Sequence, residues 1–185
     1  RSRTDLVSFG GVKAVQKTFR FGSEKLCHNE VRAREVLAGE VAMPALIDHS
    51  SVRIVMEFLA DSQPLPAESL STVEKHRIAE ELTRIVHAFW KRGFFHADFA
   101  PGNIFLGKDG RLHIIDFEFL QPYEGDKPPF NRAFEFEGIP ARDAHYDRPW
   151  TDRVRCIHHH RKWNAFPFDV YFKPVIERFQ NEASS

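Results

Sequence analysis

The sequence has little of what marks several protein classes. Only two of its 185 residues are cysteines, which excludes a disulfide-stapled scaffold and indicates a reducing compartment. No apolar run approaches the ~18 residues that a membrane-spanning helix needs. Lysine and arginine (26) balance aspartate and glutamate (26), so the chain lacks the positive charge that sequence-independent nucleic-acid binding requires. We therefore expect a cytoplasmic protein with no transmembrane segment and no nucleic-acid partner.

Phenylalanine, by contrast, is abundant, with 18 copies against three tryptophans and three tyrosines. So many rings predict a core built from large, shape-specific side chains. The apolar (42%) and charged (28%) fractions are those of a globular protein. The sequence starts without methionine or an apolar leader, and we expect it to be a piece of something longer.

The hydrophobic pattern mixes strands and helices. Alternation predicts a strand at 12–19 after a Gly-Gly turn, and apolar runs predict further strands at 52–59 and 112–115. Helical spacing is found at 24–38, at 73–91 and, interrupted by Pro174, at 169–179. Residues 61–71 are rich in proline and serine, as is typical of a linker. We therefore divide the chain into two lobes, residues 1–59 and residues 60–185.

Two polar motifs carry the chemistry. The first is segment 96–103, which reads His-Ala-Asp-Phe-Ala-Pro-Gly-Asn, and the second is Asp-Phe-Glu at 116–118, after an apolar strand. The Pro-Gly turn lets the first segment fold back, so that Asp98 and Asn103 point into one cleft beside Asp116. Carboxylate and amide oxygens are the ligands that Mg²⁺ prefers, usually together with phosphate oxygens.

These motifs resemble the His-x-Asp-x4-Asn catalytic loop and the Asp-Phe-Gly metal motif of the protein-kinase-like superfamily. The resemblance implies an α+β, two-lobed fold with a small β-rich N-lobe, incomplete at its start, and a mainly helical C-lobe. It implies ATP and Mg²⁺ as cofactors. Asp98 would accept or orient the proton of the substrate hydroxyl, and His96 would brace the loop. Asn103 and Asp116 would hold the metal.

The resemblance also requires a strand lysine that binds phosphates and a helix glutamate that pairs with it. Ala-Val-Gln-Lys at 14–17 resembles the Val-Ala-Ile-Lys strand, which implies Lys17 as the phosphate ligand, with Lys13 as the alternative of the same strand parity. Glu30 lies on the apolar face of the helix, where a carboxylate needs a partner. Glu35 stays open as the alternative, because its interval from Lys17 is nearer that of full-size protein kinases.

A strand entering a hinge should follow, and residues 54–59 (Ile-Val-Met-Glu-Phe-Leu) fit that place. By the resemblance, Met56 would be the gatekeeper. The backbones of Glu57 and Leu59 would bond the adenine edge, whose donor and acceptor pattern any residue's N–H and C=O can match.

The sequence departs from the protein-kinase pattern at three points. A Gly-rich loop would lie at or before the first residues, since Gly10 and Gly11 are too close to Lys17. Glu118 replaces the glycine that lets the metal motif change conformation, so we expect a site fixed in one state. Ala100 stands where protein kinases carry a phosphate-binding lysine. In these respects the chain resembles the aminoglycoside/choline phosphotransferases, and in its upstream part the lipopolysaccharide-core sugar kinases.

The predicted activity is transfer of the ATP γ-phosphate to a hydroxyl of a small molecule or glycan. A Ser/Thr protein kinase and a pseudokinase that serves as a nucleotide-binding or scaffolding module remain alternatives. The consecutive His158, His159 and His160 cannot all face one tetrahedral zinc ion. With their basic neighbours they predict a positively charged patch, suited to an anionic substrate or to peripheral contact with a membrane surface.

Overall fold

A computed structural model describes residues 2–134 and 163–182 of the chain. In these residues the strands are β1 (Ser2–Phe9), β2 (Val12–Phe19), β3 (Leu46–His49), β4 (Arg53–Glu57), β5 (Ser62–Pro64), β6 (Phe94–His96), β7 (Ile104–Gly107), β8 (Leu112–Ile114) and β9 (Leu120–Pro122). The helices are α1 (Glu24–Val36), α2 (Thr72–Lys91), α3 (Phe130–Phe134), α4 (Phe168–Tyr171) and α5 (Lys173–Glu182). Single 3-10 turns lie at Pro101–Asn103 and Phe117–Phe119. The predicted α+β class with a β-rich N-lobe is confirmed.

The N-lobe is an antiparallel sheet with strand order β1-β2-β4-β3. Gly10 and Gly11 form the hairpin turn between β1 and β2, with φ angles of 57° and 84° that glycine adopts without strain. Helix α1 packs against one face of this sheet and buries Cys27, Glu30 and Ala33. The sheet and the helix together fix where the side chains of β2 meet those of α1.

The C-lobe is organised around α2. Ser71 and Glu74 form a reciprocal capping box at its start, and its apolar stripe, including Ile78, Leu82 and Phe89, is buried. Two small antiparallel sheets, β5-β7-β8 and β6-β9, pack beside it. The lobes are joined by backbone as well, because the Ile114 N–H donates to the Ala42 carbonyl at 2.9 Å.

Much of the phenylalanine gathers in one aromatic cluster of the C-lobe. Ring contacts link Phe89, His96, Phe99, Phe117, Phe134, Trp163, Phe166 and Phe172. Phe99 lies at its centre, with ring centroids 5.7 Å from Phe89 and 5.9 Å from Phe134, both edge-on. The cluster joins α2, through Phe89, and α3, through Phe134, to the two motif-bearing loops, in line with the ring-rich core that the composition predicts.

The structure differs from the sequence-based expectations at three places, and a fourth expectation concerns residues that the structure does not describe. The first residues form a full strand, β1, that the hydrophobic pattern did not predict, and the expected linker contains β5, which pairs with β7. The terminal helix expected at 169–179 is two helices, α4 and α5. The predicted basic patch around the histidines at 158–160 lies outside the described residues. No helix in the described ranges is both long and apolar enough to cross a membrane.

Candidate active site

Lys17 is the centre of a buried ion cluster. It points from β2 toward α1, and its side chain is 7% exposed. Its ammonium lies 2.6 Å from Glu30 Oε1, 2.7 Å from Asp116 Oδ1 and 2.9 Å from Glu118 Oε1. The contacts with Glu30 and Asp116 are hydrogen bonds, and the contact with Glu118 is an ion pair. Burial by itself would lower the pKa of Lys17, but the charges of Glu30 and Asp116 outweigh it and raise the pKa, which keeps the ammonium protonated.

Glu30 is the α1 carboxylate that pairs with Lys17. Its side chain is 1% exposed, whereas Glu35 is exposed on the other face of the helix. Burial would raise the pKa of Glu30, but the charges of Lys17 and Arg34 outweigh burial and lower it. Lys13, the other lysine considered, is exposed and lies over the Phe58 ring, 4.0 Å from its centroid.

Arg34 fixes the second oxygen of Glu30, a role that the sequence pattern did not predict. Its Nη1 donates to Glu30 Oε2 at 3.0 Å and to the Glu30 carbonyl at 2.6 Å, and Nε donates to the Pro44 carbonyl at 3.2 Å. Nη2 contacts the sulfur of Met56. The spacing was the available signal, because Arg34 follows Glu30 by one helical turn.

The loop after β6 brings together the three residues of the first motif. The Asp98 N–H donates to Nδ1 of His96 at 3.2 Å, and His96 is fully buried among the rings of the aromatic cluster. The Asn103 amide donates to the Asp98 carbonyl at 2.9 Å and to Asp98 Oδ2 at 3.2 Å. These bonds close the loop on itself and hold the Asp98 carboxylate beside Asn103.

Asp116 follows β8 and lies next to that loop. The N–H of Ile115 donates to the Asn103 carbonyl at 2.9 Å, which fixes the two motifs relative to each other. Asp116 has φ 63°, and no other non-glycine residue of the described ranges has a positive φ. Such conformations cost energy and concentrate at functional sites. Burial, reinforced by the charges of Glu118 and Glu30, raises the pKa of Asp116 despite the opposing charge of Lys17.

Asn103 and Asp116 offer a donor set that fits Mg²⁺. An amide oxygen and a carboxylate supply hard oxygen ligands, and Mg²⁺ is usually held by one or two carboxylates together with phosphate oxygens. The Asp116 side chain is 32% exposed, so it can reach a ligand in the cleft. Within the part of the chain that the structure describes, no three His, Cys, Asp or Glu side chains form an all-protein metal site.

The residues expected to form the hinge lie at and just after the end of β4. The Glu57 N–H donates to the Ala45 carbonyl at 2.9 Å, and Glu57 Oε2 accepts from the Ala45 N–H at 3.2 Å. Met56, the expected gatekeeper, is buried. Among the described residues, nothing accepts a hydrogen bond from the N–H of Leu59. That N–H is thus available to an incoming ligand.

For Glu118, the sequence pattern predicts no partner and shows only that this residue replaces the glycine of the metal motif. Its side chain is 7% exposed, and besides Lys17 it accepts a hydrogen bond from the Ser2 hydroxyl. The Asn29 amide donates to its backbone carbonyl at 2.7 Å. Glu118 therefore links the metal motif to β1 and α1.

Residues 11–129, more than half of the chain, match the sequence model of the RIO domain. The chain belongs to the RIO domain family. RIO domains are part of the protein-kinase-like superfamily, as the two motifs and the ion cluster imply, and the matched range includes all the candidate site residues. The narrower resemblance to aminoglycoside/choline phosphotransferases stays a prediction.

Two curated relatives are also similar to this RIO domain. A probable casein kinase I homologue of Encephalitozoon cuniculi is 28% identical over 51% of the chain and 32% of its own length. The serine/threonine-protein kinase CBK1 of Pneumocystis carinii is 26% identical over 67% of the chain and 27% of its own length. The aligned part is thus about a third or less of each relative. These comparisons support a kinase-like domain.

Proposed function

We propose that this RIO domain is an ATP-dependent phosphotransferase that moves the γ-phosphate of ATP to a hydroxyl. The observation that carries the proposal is the position of Lys17, which contacts Glu30 of α1 and Asp116 of the metal motif at once. This contact brings a phosphate-binding cation next to a candidate metal ligand. Asp98 and Asn103 lie on the loop that the Ile115–Asn103 hydrogen bond fixes beside Asp116, and they would complete the set of groups that phosphoryl transfer needs.

The N-lobe sheet offers a surface for the adenine. Leu6, Val15 and Met56 lie opposite one another across three strands, and cross-strand partners share a face. Val15 is two residues from Lys17 and therefore points to the same side of the sheet. Leu6 is 57% exposed there, which leaves apolar surface for a base to cover. The Leu59 N–H could then bond the adenine edge.

The proposed reaction assigns a role to each polar side chain. Lys17 binds and orients the phosphates, held in place by Glu30. Asn103 and Asp116 would hold Mg²⁺, which would neutralise phosphate charge. The acceptor hydroxyl oxygen attacks the γ-phosphorus, its proton passes to the Asp98 carboxylate, and the bond to the bridging oxygen of ADP breaks. Orientation and electrostatics supply most of the rate.

For the acceptor, we propose a small molecule or a glycan, because Ala100 lacks the amine that protein kinases place two residues after the catalytic aspartate. The competing candidate is a protein serine or threonine, because the relative from Pneumocystis carinii is a serine/threonine-protein kinase. A pseudokinase is the weaker alternative, since a scaffold has no need of Asp98, Asn103 and Asp116 together.

Incubation with γ-labelled ATP and Mg²⁺ tests the proposal. One panel contains sugars, aminoglycosides and choline, and a second contains unstructured Ser/Thr-rich proteins. We expect label transfer to the first panel, with loss of transfer in Asp98→Asn. Transfer to the second panel alone would assign a protein kinase. ATP binding with no transfer to either panel or to water would favour the pseudokinase.

A further inference from the structure

We propose that Glu118 makes the site selective for metal-bound over metal-free nucleotide, by staying on Lys17 when Asp116 turns to the metal. The inference rests on the proposed function and concerns a residue that the two motifs do not assign. Three carboxylates surround the Lys17 ammonium, Glu30 and Asp116 through hydrogen bonds and Glu118 as an ion pair. A phosphate that contacts the ammonium competes with these carboxylates, and the structure distinguishes which of them can give way.

Glu30 and Glu118 are both held by further partners. Glu30 is 1% exposed and gives its second oxygen to Arg34. Glu118 is 7% exposed, accepts from the Ser2 hydroxyl and is fixed through its backbone by Asn29. Moving either carboxylate would break contacts with the N-lobe as well as the bond to Lys17.

Asp116 is the carboxylate that can leave. Its side chain is 32% exposed, and within the described ranges its carboxylate forms a hydrogen bond with Lys17 and with no other residue. When Asp116 turns toward a metal ion, it releases one donor of Lys17 to the phosphates. Glu30 and Glu118 then keep the ammonium in position from two sides.

The charges of the cluster explain the selectivity. Lys17 and Arg34 supply two positive charges, and Glu30, Asp116 and Glu118 supply three negative ones. A polyphosphate that arrives without metal meets a net negative site. A divalent cation reverses that sign, and Glu118→Gln would remove the excess negative charge while keeping an oxygen for Lys17.

Titration of a fluorescent ATP analogue, in EDTA and in excess Mg²⁺, tests the inference. Glu118→Gln should bind the metal-free analogue roughly 5- to 30-fold more tightly than wild type, the order expected for removing one charge several ångströms from the phosphates. Its affinity with Mg²⁺ should change less than about threefold, because the metal already offsets the lost charge. Glu118→Asp keeps the charge and should keep the selectivity. The exposed Glu35→Gln is the matched control and should behave as wild type.

Three results would overturn the inference. Unchanged metal-free affinity in Glu118→Gln shows that Glu118 does not repel phosphate. Loss of affinity confined to the Mg²⁺ titration shows that Glu118 serves as a metal ligand instead. Wild-type protein that binds no analogue under either condition overturns the proposed function, and the inference with it. Glu118→Gly removes the same charge and replaces the Gln variant if that variant does not fold.

Discussion

Lys17 and Glu30 form an ion pair of 2.6 Å in which neither partner is exposed by more than 7%. Taking two charges out of water is costly, and the pair repays that cost only while both partners remain. Arg34 holds the second oxygen of Glu30, so the pair is part of a larger buried network.

Removing Glu30 should therefore destabilise the fold. We expect Glu30→Ala to lower the free energy of unfolding by about 2–4 kcal/mol, because Arg34 loses its counter-ion and Lys17 loses one of three. Glu35→Ala should cost only about 0–1 kcal/mol, as for exposed helix carboxylates. Urea denaturation of both variants measures the difference. Equal losses would mean that the buried pair contributes nothing particular to stability.

Asp98→Asn should abolish most phosphotransfer while leaving the fold intact. The amide still offers an oxygen to Asn103, but it cannot take up the hydroxyl proton. The expected loss of kcat is about 10²–10⁴-fold, the range for a positioned acid–base group. Steady-state kinetics together with nucleotide titration separates the loss of chemistry from any loss of binding. Turnover like that of wild type would exclude Asp98 as the base.

Asp116→Asn should stabilise the ligand-free protein at neutral pH while weakening the effect of Mg²⁺ on nucleotide binding. The pKa of Asp116 is raised above its ordinary value of 3.8, and that net direction already includes the attraction of Lys17. A raised carboxyl pKa means that the ionised form is disfavoured in the folded state. Ionisation of Asp116 therefore lowers the stability of the fold as pH rises through the folded-state pKa.

Melting temperatures between pH 3 and pH 8 check the sign. Asp116→Asn should melt at a higher temperature than wild type at neutral pH. This difference should disappear as pH falls below the ordinary pKa, where Asp116 is protonated in both the folded and the unfolded wild-type protein. A variant that melts lower than wild type at pH 7 would show that ionised Asp116 stabilises the fold.

Phe99→Ala should both lower the stability of the C-lobe and inactivate the site. Phe99 is 1% exposed and follows Asp98 directly. Truncating a buried phenylalanine costs about 3–5 kcal/mol, because a cavity remains. Phe21, which is 97% exposed, supplies the control, and Phe21→Ala should change stability by less than about 0.5 kcal/mol. Calorimetry compares the two.

The sequence predicts best those features that depend on local pattern. The kinase resemblance implies Lys17 as the strand lysine, and the apolar face of α1 favours Glu30 over Glu35 as its partner, because a buried carboxylate needs a counter-charge. Helical spacing likewise predicts a helix at 73–91, close to the observed bounds of α2. In both cases the signal is the spacing of apolar residues along one helix.

Contacts between distant segments could not be predicted in the same way. The sequence shows that Glu118 replaces a glycine, but the approach of its carboxylate to Lys17 depends on how the lobes meet. Arg34 is of a residue type that is mostly exposed, so its burial against Met56 has no compositional signal. Strand β1 carries too few apolar residues for the hydrophobic pattern to predict it. Strand β5 is too short to show an alternation of apolar and polar residues.

Because of the aromatic cluster, loss of catalysis and unfolding of the C-lobe should occur together on heating. Asp98 and Asp116 each precede a phenylalanine, Phe99 or Phe117, that is buried in the same core as the helices. Their loops cannot open alone, because opening exposes those rings to water. Amide hydrogens at these positions should exchange only when the whole lobe opens, and heat should end catalysis and cooperative structure in a single step.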